Sequence, residues 1–278
     1  MPHSHPLDRL LLMALEEDLG YADVTTAAVV PWDLAGRAVM LGREGFVLSG
    51  SYPFQRIFQL LDGTTQMECR FRDGEWVPAD APVFEVRGRV STLLSGERVA
   101  LNLLQRLSGV ATLTRRMADA LAGTSCRLLD TRKTTPLWRT LEKQAVRHGG
   151  GHNHRFGLSD GVLIKDNHIA AAGSIREAVQ RAQHAAPHTL RIEVEVDTLD
   201  QFREALELGV DVILLDNFSL DMLGQAVALN GKRALLEASG GVTLENIAAI
   251  AQTGVDFISS GALTHSARAI DISLELYC

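Results

Sequence analysis

The chain has 278 residues, of which 46% are apolar and 22% charged, and its formal net charge is −7. This length and composition fit one large α/β barrel or two domains, and neither a disulfide nor a metal is needed to hold the core. The acidic balance argues against general nucleic-acid binding, and no apolar run approaches the length of a membrane span. Three cysteines without CxxC spacing, and a start without a signal-peptide pattern, predict a cytoplasmic protein.

The first part of the chain is predicted to fold as an α+β domain. Apolar residues at helical spacing predict a helix over residues 7–19, and the Asp-Val-Thr-Thr stretch beginning at Asp23 is interpreted as a turn. Short strands are predicted within residues 37–49, 66–72 and 76–89, with glycine and proline marking the turns. A long apolar-periodic run over residues 95–121 predicts two helices that meet at Gly109.

Strand and helix patterns alternate in the remainder of the chain. Apolar strands are predicted at residues 127–130, 161–164, 190–196, 212–215, 234–238 and 255–259. Capping boxes at Ser174 and Thr198 predict the starts of two helices, and a third helix is predicted over residues 243–253. Strands this apolar are typical of parallel sheets, and the absence of G-x-G-x-x-G favours a barrel over a dinucleotide-binding fold. The alternating tail from Ile270 predicts a half-buried strand that could rejoin the first domain's sheet.

A basic segment covers residues 127–168, with eight lysines and arginines against four acids. Its net charge of +4 leaves −11 for the rest of the chain. A solvated charged surface is the ordinary explanation for such a stretch. Here, however, Arg132 and Lys133 stand on a turn directly after a strand, and three glycines from Gly149 let a ligand approach the backbone. Because arginine pairs with carboxylates and phosphates, the segment predicts a strongly anionic ligand.

Histidines, acids and small-residue turns complete the pattern. His152 and His154 could share a metal, but the neighbouring cations disfavour one, so anion binding is the preferred interpretation. Glu195 and Asp216 each end a strand, where a parallel barrel builds its site. Asp197, which precedes a capping box, is interpreted as structural. The turns 239–241 and 260–262 follow strands and precede predicted helices, which suits phosphate binding. Together these features predict an anionic small molecule meeting a phosphorylated sugar.

Three motifs then identify a family resemblance. Asp130-Thr-Arg-Lys-Thr-Thr-Pro, Gly149-Gly-Gly-His-Asn-His-Arg and Asp160-Gly-Val-Leu-Ile-Lys-Asp-Asn-His resemble the quinolinate phosphoribosyltransferase family, and the likeness extends over the whole chain. It implies an α/β fold with an incomplete TIM-like barrel (residues 111–267) and an N-terminal α+β open-sandwich domain (residues 1–110) to which the tail, residues 268–278, returns.

The resemblance also implies an activity. Quinolinate and phosphoribosyl pyrophosphate would give nicotinate mononucleotide, CO₂ and pyrophosphate, in de novo NAD biosynthesis. The family works with Mg²⁺ held mainly through substrate phosphates. The family forms homodimers with shared active sites, and an oligomer larger than a dimer is left as an alternative. No nucleic-acid or membrane partner is expected.

Individual residues receive expected roles by the same resemblance. Lys133, Glu195 and Asp216 are the expected catalytic residues, and the two acids lie near the ribose and the metal. Arg98 is expected to reach the neighbouring subunit's site. The full expected substrate set is Arg98, Thr131, Arg132, Lys133, His154, Arg155, Lys165, Glu195, Asp216, Ser239, Gly240, Gly241, Ser260, Gly261 and Ala262.

One departure and two alternatives accompany this interpretation. Leu137 stands where the family commonly has glycine, so the turn before Arg139 is predicted to follow a different course. The first alternative is a related type II phosphoribosyltransferase that uses nicotinate, or the molybdenum-associated paralogue. The second is a non-catalytic binding protein on the same scaffold. The complete cationic set favours quinolinate, and the presence of Glu195 and Asp216 favours an active enzyme.

Overall fold

The structure is a computed structural model that describes residues 6–278. The first residues, on which the signal-peptide prediction depends, lie outside this range. The strands are β1 (Ala35–Gly42), β2 (Phe46–Val47), β3 (Gln66–Cys69), β4 (Trp76–Val77), β5 (Pro82–Arg89), β6 (Arg127–Leu129), β7 (Val162–Ile164), β8 (Ile192–Val196), β9 (Val212–Asp216), β10 (Leu235–Ser239), β11 (Phe257–Ser259) and β12 (Ile272–Tyr277). The helices are α1 (Pro6–Leu19), α2 (Val24–Val29), α3 (Ser51–Leu61), α4 (Val90–Asp119), α5 (Arg139–His148), α6 (Asp166–Ala172), α7 (Ile175–Ala185), α8 (Leu199–Glu207), α9 (Leu220–Asn230), α10 (Ile247–Gln252) and α11 (Ala262–His265).

The chain groups into two compact units. The first contains the chain up to Leu113, then Pro136–Gly150 and Ala267–Cys278, and the second contains Thr114–Thr135 and Gly151–Ser266. The division therefore differs from the predicted one in detail, because α5 groups with the first unit and not with the barrel. Helix α4 runs across the border between the units without a break.

The first unit is built on an antiparallel sheet with the order β12-β1-β5-β3. The tail strand β12 pairs with β1 from Arg37 opposite Tyr277 to Gly42 opposite Ile272, so the predicted return of the tail is confirmed. The core beneath the sheet contains Phe54 stacked on Phe84 with a centroid distance of 4.9 Å. Aromatic pairs in this arrangement add to the stabilisation that burial alone provides.

The predicted helix break at Gly109 is wrong, because α4 is one helix of 30 residues. Glycine is required there for a different reason. A Cβ on Gly109 would lie 2.0 Å from the backbone oxygen of Arg268 in the tail. The residue thus permits a close approach of two backbone segments within the first unit, at the modest cost of a glycine inside a helix.

The second unit contains a six-stranded parallel sheet with the order β6-β11-β10-β9-β8-β7. The first strand pairs with the last, whereas β6 and β7, which follow each other in the chain, are the sheet's two edges. This is the arrangement of an incomplete barrel, and the predicted fold class is confirmed. The predicted helix starts are confirmed, since the side chains of the N-cap residues Ser174 and Thr198 accept the N–H groups of Glu177 and Gln201. The reciprocal half of a capping box is replaced, because the Gln201 side chain accepts the N–H of Asp197 and the Glu177 carboxylate accepts from Arg181.

Other local predictions need correction. The stretch from Asp23 is not a simple turn, because the Asp23 carboxylate accepts the N–H of Thr26 and caps helix α2. Helices α3, α5, α6 and α9 were not predicted. Leu137 has a φ of 68°, which is the left-handed conformation that glycine favours. For a leucine this conformation is strained.

Two remaining predictions concern the cysteines and the absence of a membrane span. The free cysteines are Cys69, Cys126 and Cys278. Burial, and secondarily the charge of Asp256, raises the pKa of the Cys126 thiol to about 12, so this thiol stays protonated. Within residues 6–278, no helix combines the length and the apolarity that crossing a bilayer would require.

Candidate active site

A cavity of about 650 Å³ lies at the carboxyl ends of the parallel strands. Side chains reach it because residues two apart on a strand share a face, as Leu163 and Lys165 do on β7 and its end. The expected substrate residues that line it are Thr131, Arg132, Lys133, His154, Arg155, Lys165, Glu195, Asp216, Ser239, Gly240, Gly241, Ser260, Gly261 and Ala262. The sheet thus brings together side chains that are far apart in the sequence.

Cationic side chains line the part of the cavity formed by the segments after β6 and around β7. The guanidinium of Arg155 donates a hydrogen bond to the carbonyl oxygen of Gly161 at 3.0 Å. Burial, and next the positive charge of Arg132, lowers the pKa of Arg155 from its ordinary value. Two guanidinium groups that repel each other where solvent is partly excluded are suited to bind an anion that would neutralise both charges.

His154 is held from three directions. Its backbone N–H donates to Oδ1 of Asp130 at 2.8 Å, and Asp130 is fully buried. Its Nδ1 accepts the backbone N–H of Arg155 at 2.7 Å. Its Nε2 faces two buried carboxyl groups, at 3.2 Å from Glu193 and 3.6 Å from Glu237. The imidazole is therefore part of the wall of the cavity and not a mobile surface group.

Two acids lie between the cations and the late turns. The Glu195 carboxylate accepts a hydrogen bond from Nζ of Lys165, which makes a partly buried ion pair. The Asp216 carboxylate accepts a hydrogen bond from the side-chain amide of Asn217 at 2.7 Å. Because Asp216 is in register with Ser239 on β10, the second acid stands next to the turn that follows β10. The arrangement places negative charge between the cationic side chains and the turns that were predicted to bind phosphate.

The turns after β10 and β11 are built from small residues for steric reasons. Gly240 has a φ of 89°, and a Cβ there would lie 2.2 Å from the side-chain oxygen of Asn217. A Cβ on Gly261 would lie 2.8 Å from Cδ of Lys133. Thr264 also donates a hydrogen bond to the carbonyl oxygen of Lys133 at 2.8 Å. The turn after β11 therefore packs directly against the lysine that was predicted to be catalytic.

Several predicted features do not belong to the cavity. Arg98 lies on the exposed face of α4 in the first unit. The glycines from Gly149 were expected to admit a ligand, but Gly149 ends α5 by donating its N–H to the carbonyl of Ala145. His152 forms a parallel backbone bridge with Leu129. The glycines and His152 terminate or connect elements, and neither they nor Arg98 are among the described residues that line the cavity.

Comparisons with known proteins agree with this geometry. Family models of the quinolinate phosphoribosyl transferase N-terminal and C-terminal domains match residues 23–108 and 110–275. The chain is 45% identical to a probable nicotinate-nucleotide pyrophosphorylase [carboxylating] of Bacillus subtilis, over 97% of this chain and 93% of that protein. The crystal structure of NadC from Streptococcus pyogenes is 41% identical, with a TM-score of 0.94 over 100% of this chain and 99% of that one.

The chain belongs to the quinolinate phosphoribosyl transferase family. A plant member of similar identity, the chloroplastic nicotinate-nucleotide pyrophosphorylase [carboxylating] of Arabidopsis thaliana, is 42% identical over 99% of this chain and 85% of that protein. The likeness therefore extends through both units and is not confined to the central motif.

The sequence analysis did not name five polar residues of this family member's site. Glu237, Thr243, Ser259 and His265 line the cavity, and Glu193 lies beneath His154. Glu237 stands two residues before Ser239 on β10, so strand alternation could have identified it. Burial, and next the charge of Glu193, raises the pKa of Glu237 to about 7. His265 sits on a short helix, where nothing in the sequence pattern distinguished it.

Two sets of residues have donor atoms that could hold a metal. One carboxylate oxygen from each of Glu193 and Glu237 lies within 4.8 Å of a ring nitrogen of His154. Glu195 and Asp216 offer the carboxylate oxygens that Mg²⁺ prefers, and each already has one oxygen engaged by Lys165 or Asn217. The second set fits a cation that takes most of its ligands from a substrate and few from the protein.

Proposed function

We propose that this chain joins quinolinate to the ribose of phosphoribosyl pyrophosphate and releases CO₂ and pyrophosphate, giving nicotinate mononucleotide. One observation carries the proposal: a single cavity has cations for a dicarboxylate on one side, turns suited to phosphate on the other, and acids between them. Membership of the quinolinate phosphoribosyl transferase family makes the chain a phosphoribosyltransferase. The related-substrate and non-catalytic alternatives are not favoured.

Quinolinate is a dianion, so its site requires concentrated positive charge. Arg132, Arg155 and Lys165 supply three cationic side chains in the cavity, and His154 adds a polar wall. Arginine pairs with a carboxylate through two parallel hydrogen bonds and so also orients the ring. These residues would hold the ring nitrogen towards the sugar carbon. Nicotinate has one carboxylate, and would leave part of this charge uncompensated.

The donor's phosphates would occupy the turns after β10 and β11. Ser239, Gly240 and Gly241 form one turn, and Ser260, Gly261 and Ala262 form the other. Their small side chains let backbone N–H groups face a phosphate closely. Lys133 packs against Gly261 and so lies beside the second turn. From that position its ammonium group would bridge the phosphate region and the quinolinate region.

The acids would act on the charge that develops during transfer. As the bond from the anomeric carbon to the pyrophosphate breaks, the ribose acquires oxocarbenium character, and Glu195 and Asp216 would stabilise it. Glu195 and Asp216 would hold Mg²⁺ together with the substrate phosphates, and when bound the ion would supply positive charge to the pyrophosphate group. The ring nitrogen gives its electron pair to the sugar carbon and becomes a pyridinium. When CO₂ then leaves, the pair from the broken C–C bond stays on the ring carbon and takes up a proton.

The test is direct. The purified protein is incubated with quinolinate, phosphoribosyl pyrophosphate and Mg²⁺, and nicotinate mononucleotide and CO₂ are measured. Parallel reactions contain nicotinate in place of quinolinate, or EDTA in place of Mg²⁺, and both are expected to give little product. Failure to form nicotinate mononucleotide from quinolinate would contradict the proposal. Equal turnover of nicotinate and quinolinate would favour the related-substrate alternative.

We also propose a cytoplasmic homodimer in which Arg98 completes the partner's cavity. The support is that Arg98 is exposed and is the expected quinolinate-binding residue that does not line this chain's own cavity. Arg98→Ala and Lys165→Ala chains are each expected to be nearly inactive. When they are mixed and allowed to exchange subunits, a heterodimer contains one site with both native residues, so activity should return in part. No recovery would argue against a shared site.

A further inference from the structure

Both ring nitrogens of His154 face protein groups. Nδ1 accepts the backbone N–H of Arg155 at 2.7 Å. A nitrogen that accepts a hydrogen bond carries no proton, so the imidazole proton resides on Nε2. Nε2 lies 3.2 Å from Oε2 of Glu193, a hydrogen-bonding distance, and 3.6 Å from Oε2 of Glu237. The surroundings therefore select one of the two neutral tautomers.

The two acids beneath His154 are deeply buried. Glu193 on β8 is 7% exposed and Glu237 on β10 is 2% exposed, and they flank the central strand β9. Within the described residues, Oε1 of each has no hydrogen-bond partner. Burying carboxyl groups with unpaired oxygens is costly, so such groups call for an explanation beyond packing. Their position on rigid parallel strands makes them suitable for holding a neighbour in place.

We propose that Glu193 and Glu237 are positioning residues that hold His154 as its Nε2–H tautomer, with the ring set against the quinolinate side of the cavity. This inference rests on the proposed function, because it takes quinolinate to bind beside His154 and Arg155. The hydrogen bond from the Arg155 backbone to Nδ1 couples the ring to that arginine. Losing the acids would release the ring and disturb the arginine's backbone, and both effects fall on quinolinate binding.

The same three residues have the composition of a divalent-cation site. A metal-ligating imidazole, however, donates its other N–H outward to an acceptor. Nδ1 of His154 instead accepts a hydrogen bond, so Nε2 carries the proton that a metal would have to replace. The positioning role is therefore favoured, and metal binding becomes an outcome that the experiment distinguishes.

The first experiment requires no catalysis. The full chain, labelled with ¹⁵N-histidine and free of substrates, is examined at neutral pH, and the His154 signals are identified by their loss in His154→Gln. A protonated Nε2 and an unprotonated Nδ1 are expected, and one equivalent of Zn²⁺ should leave them unchanged. A proton on Nδ1, or a Zn²⁺-induced shift of these signals, would overturn the proposal. This result does not depend on whether quinolinate is the substrate.

The second experiment measures kinetics. Glu193→Ala should raise the KM for quinolinate about tenfold, the equivalent of one buried hydrogen bond, with kcat and the KM for phosphoribosyl pyrophosphate nearly unchanged. Glu193→Gln should recover most of the loss, because its amide oxygen still accepts from Nε2. Glu237→Ala should raise the same KM by a smaller factor, because its carboxylate lies farther from Nε2 than that of Glu193, and Glu237→Gln should recover part of that loss. The exposed Glu207→Gln serves as the matched control.

Two kinetic outcomes contradict the positioning role. Equal increases in the KM values of both substrates would indicate general damage to the fold. A Glu193→Gln protein no better than Glu193→Ala would show that the negative charge matters and not the hydrogen bond. If the wild type fails to turn over quinolinate at all, the proposed function fails, and the spectroscopic experiment still decides the tautomer.

Discussion

On one side of the cavity, Arg132, Arg155 and Lys165 present charged side chains from connecting segments and a strand end. On the other side, the turns after β10 and β11 present glycine, serine and alanine. The cations of the first side are long and flexible and must be held in place, as Gly161 and Glu195 do for Arg155 and Lys165. On the second side, the proposed phosphate contacts would come from backbone that the sheet already positions.

This difference has a physical consequence for mutation. A charged side chain can be shortened with little change to the fold, so its loss should appear in the binding of one substrate. A glycine in a tight turn cannot be enlarged without moving its neighbours, so its replacement should affect both binding and stability. The following predictions test the contrast, from the largest expected effect to the smallest.

The largest effect on activity is expected for Asp216, which lies between the cationic side and the turn side of the cavity. Asp216→Asn keeps an oxygen next to Asn217 but removes the negative charge that would stabilise the oxocarbenium-like ribose. We expect kcat to fall by about 10²–10³, with both KM values nearly unchanged, in steady-state assays. Asp200→Asn is the control, since that side chain is 93% exposed on α8. A small change in kcat would remove Asp216 from the proposed chemistry.

On the cationic side, Arg155→Ala should raise the KM for quinolinate about 100-fold, because a partly buried guanidinium that pairs with a carboxylate is lost. The KM for phosphoribosyl pyrophosphate should stay nearly constant. Arg155→Lys should recover only part of the loss, since an ammonium group lacks the planar fork. The exposed Arg176→Ala is the control. Equal effects on both substrates would contradict the separation of the two sides.

On the turn side, Gly240→Ala should raise the KM for phosphoribosyl pyrophosphate about tenfold and also lower the melting temperature. The added Cβ meets Asn217 at 2.2 Å, and the φ of 89° is itself unfavourable for alanine. Gly123→Ala is a matched control, because Gly123 has a similar φ of 85° and open space around it. If the two variants behave alike, the backbone conformation alone, and not the contact with Asn217, explains the effect.

The smallest effect concerns Glu237 and pH. Its pKa of about 7 in the folded protein exceeds the ordinary value of 4.5, chiefly because it is buried. Between these pH values the folded state keeps a proton that the unfolded state has lost. The resulting contribution to the free energy of unfolding is therefore complete below about pH 4.5 and lost as the pH rises to about 7.

Urea unfolding of the wild type and of Glu237→Gln between pH 4.5 and pH 8 measures this contribution. The glutamine cannot ionise, so the stability of the variant relative to the wild type should increase as the pH approaches 7 and then level off. Two stability profiles that stay parallel across this range would show that Glu237 does not keep its proton in the folded state.

The sequence predicted those features of this protein that depend on residues close together in the chain. The alternation of apolar strands with capped helices predicted the barrel-like sheet, and the strand-end positions of Glu195 and Asp216 predicted where their side chains would stand. The family motif predicted the cationic set that lines the cavity. Several expected substrate residues that line the cavity, such as Lys165, Ser239 and Ser260, could thus be named in advance because they lie at or just after the end of a recognisable strand. His154 and Arg155, which lie between α5 and β7, were named from the family motif alone.

Residues whose role depends on distant partners could not be assigned from the sequence. The sequence pattern suggested a helix break at Gly109. A glycine is instead required at this position because the backbone of the tail at Arg268 lies too close to Gly109 to admit a Cβ. The glycines from Gly149 looked like a ligand-binding loop, yet the first of them ends α5. Leu137 takes a left-handed backbone conformation that a leucine side chain disfavours. Only the surrounding structure can impose this conformation.

The amino-acid sequence by itself determined the parallel strands, the charge of the basic segment and the family, because periodicity, composition and motifs are properties of neighbouring residues. Only the tertiary structure decided that Glu193 and Glu237, 44 positions apart in the sequence, face one histidine. The reason is that register between strands places side chains in contact without leaving any trace in local sequence.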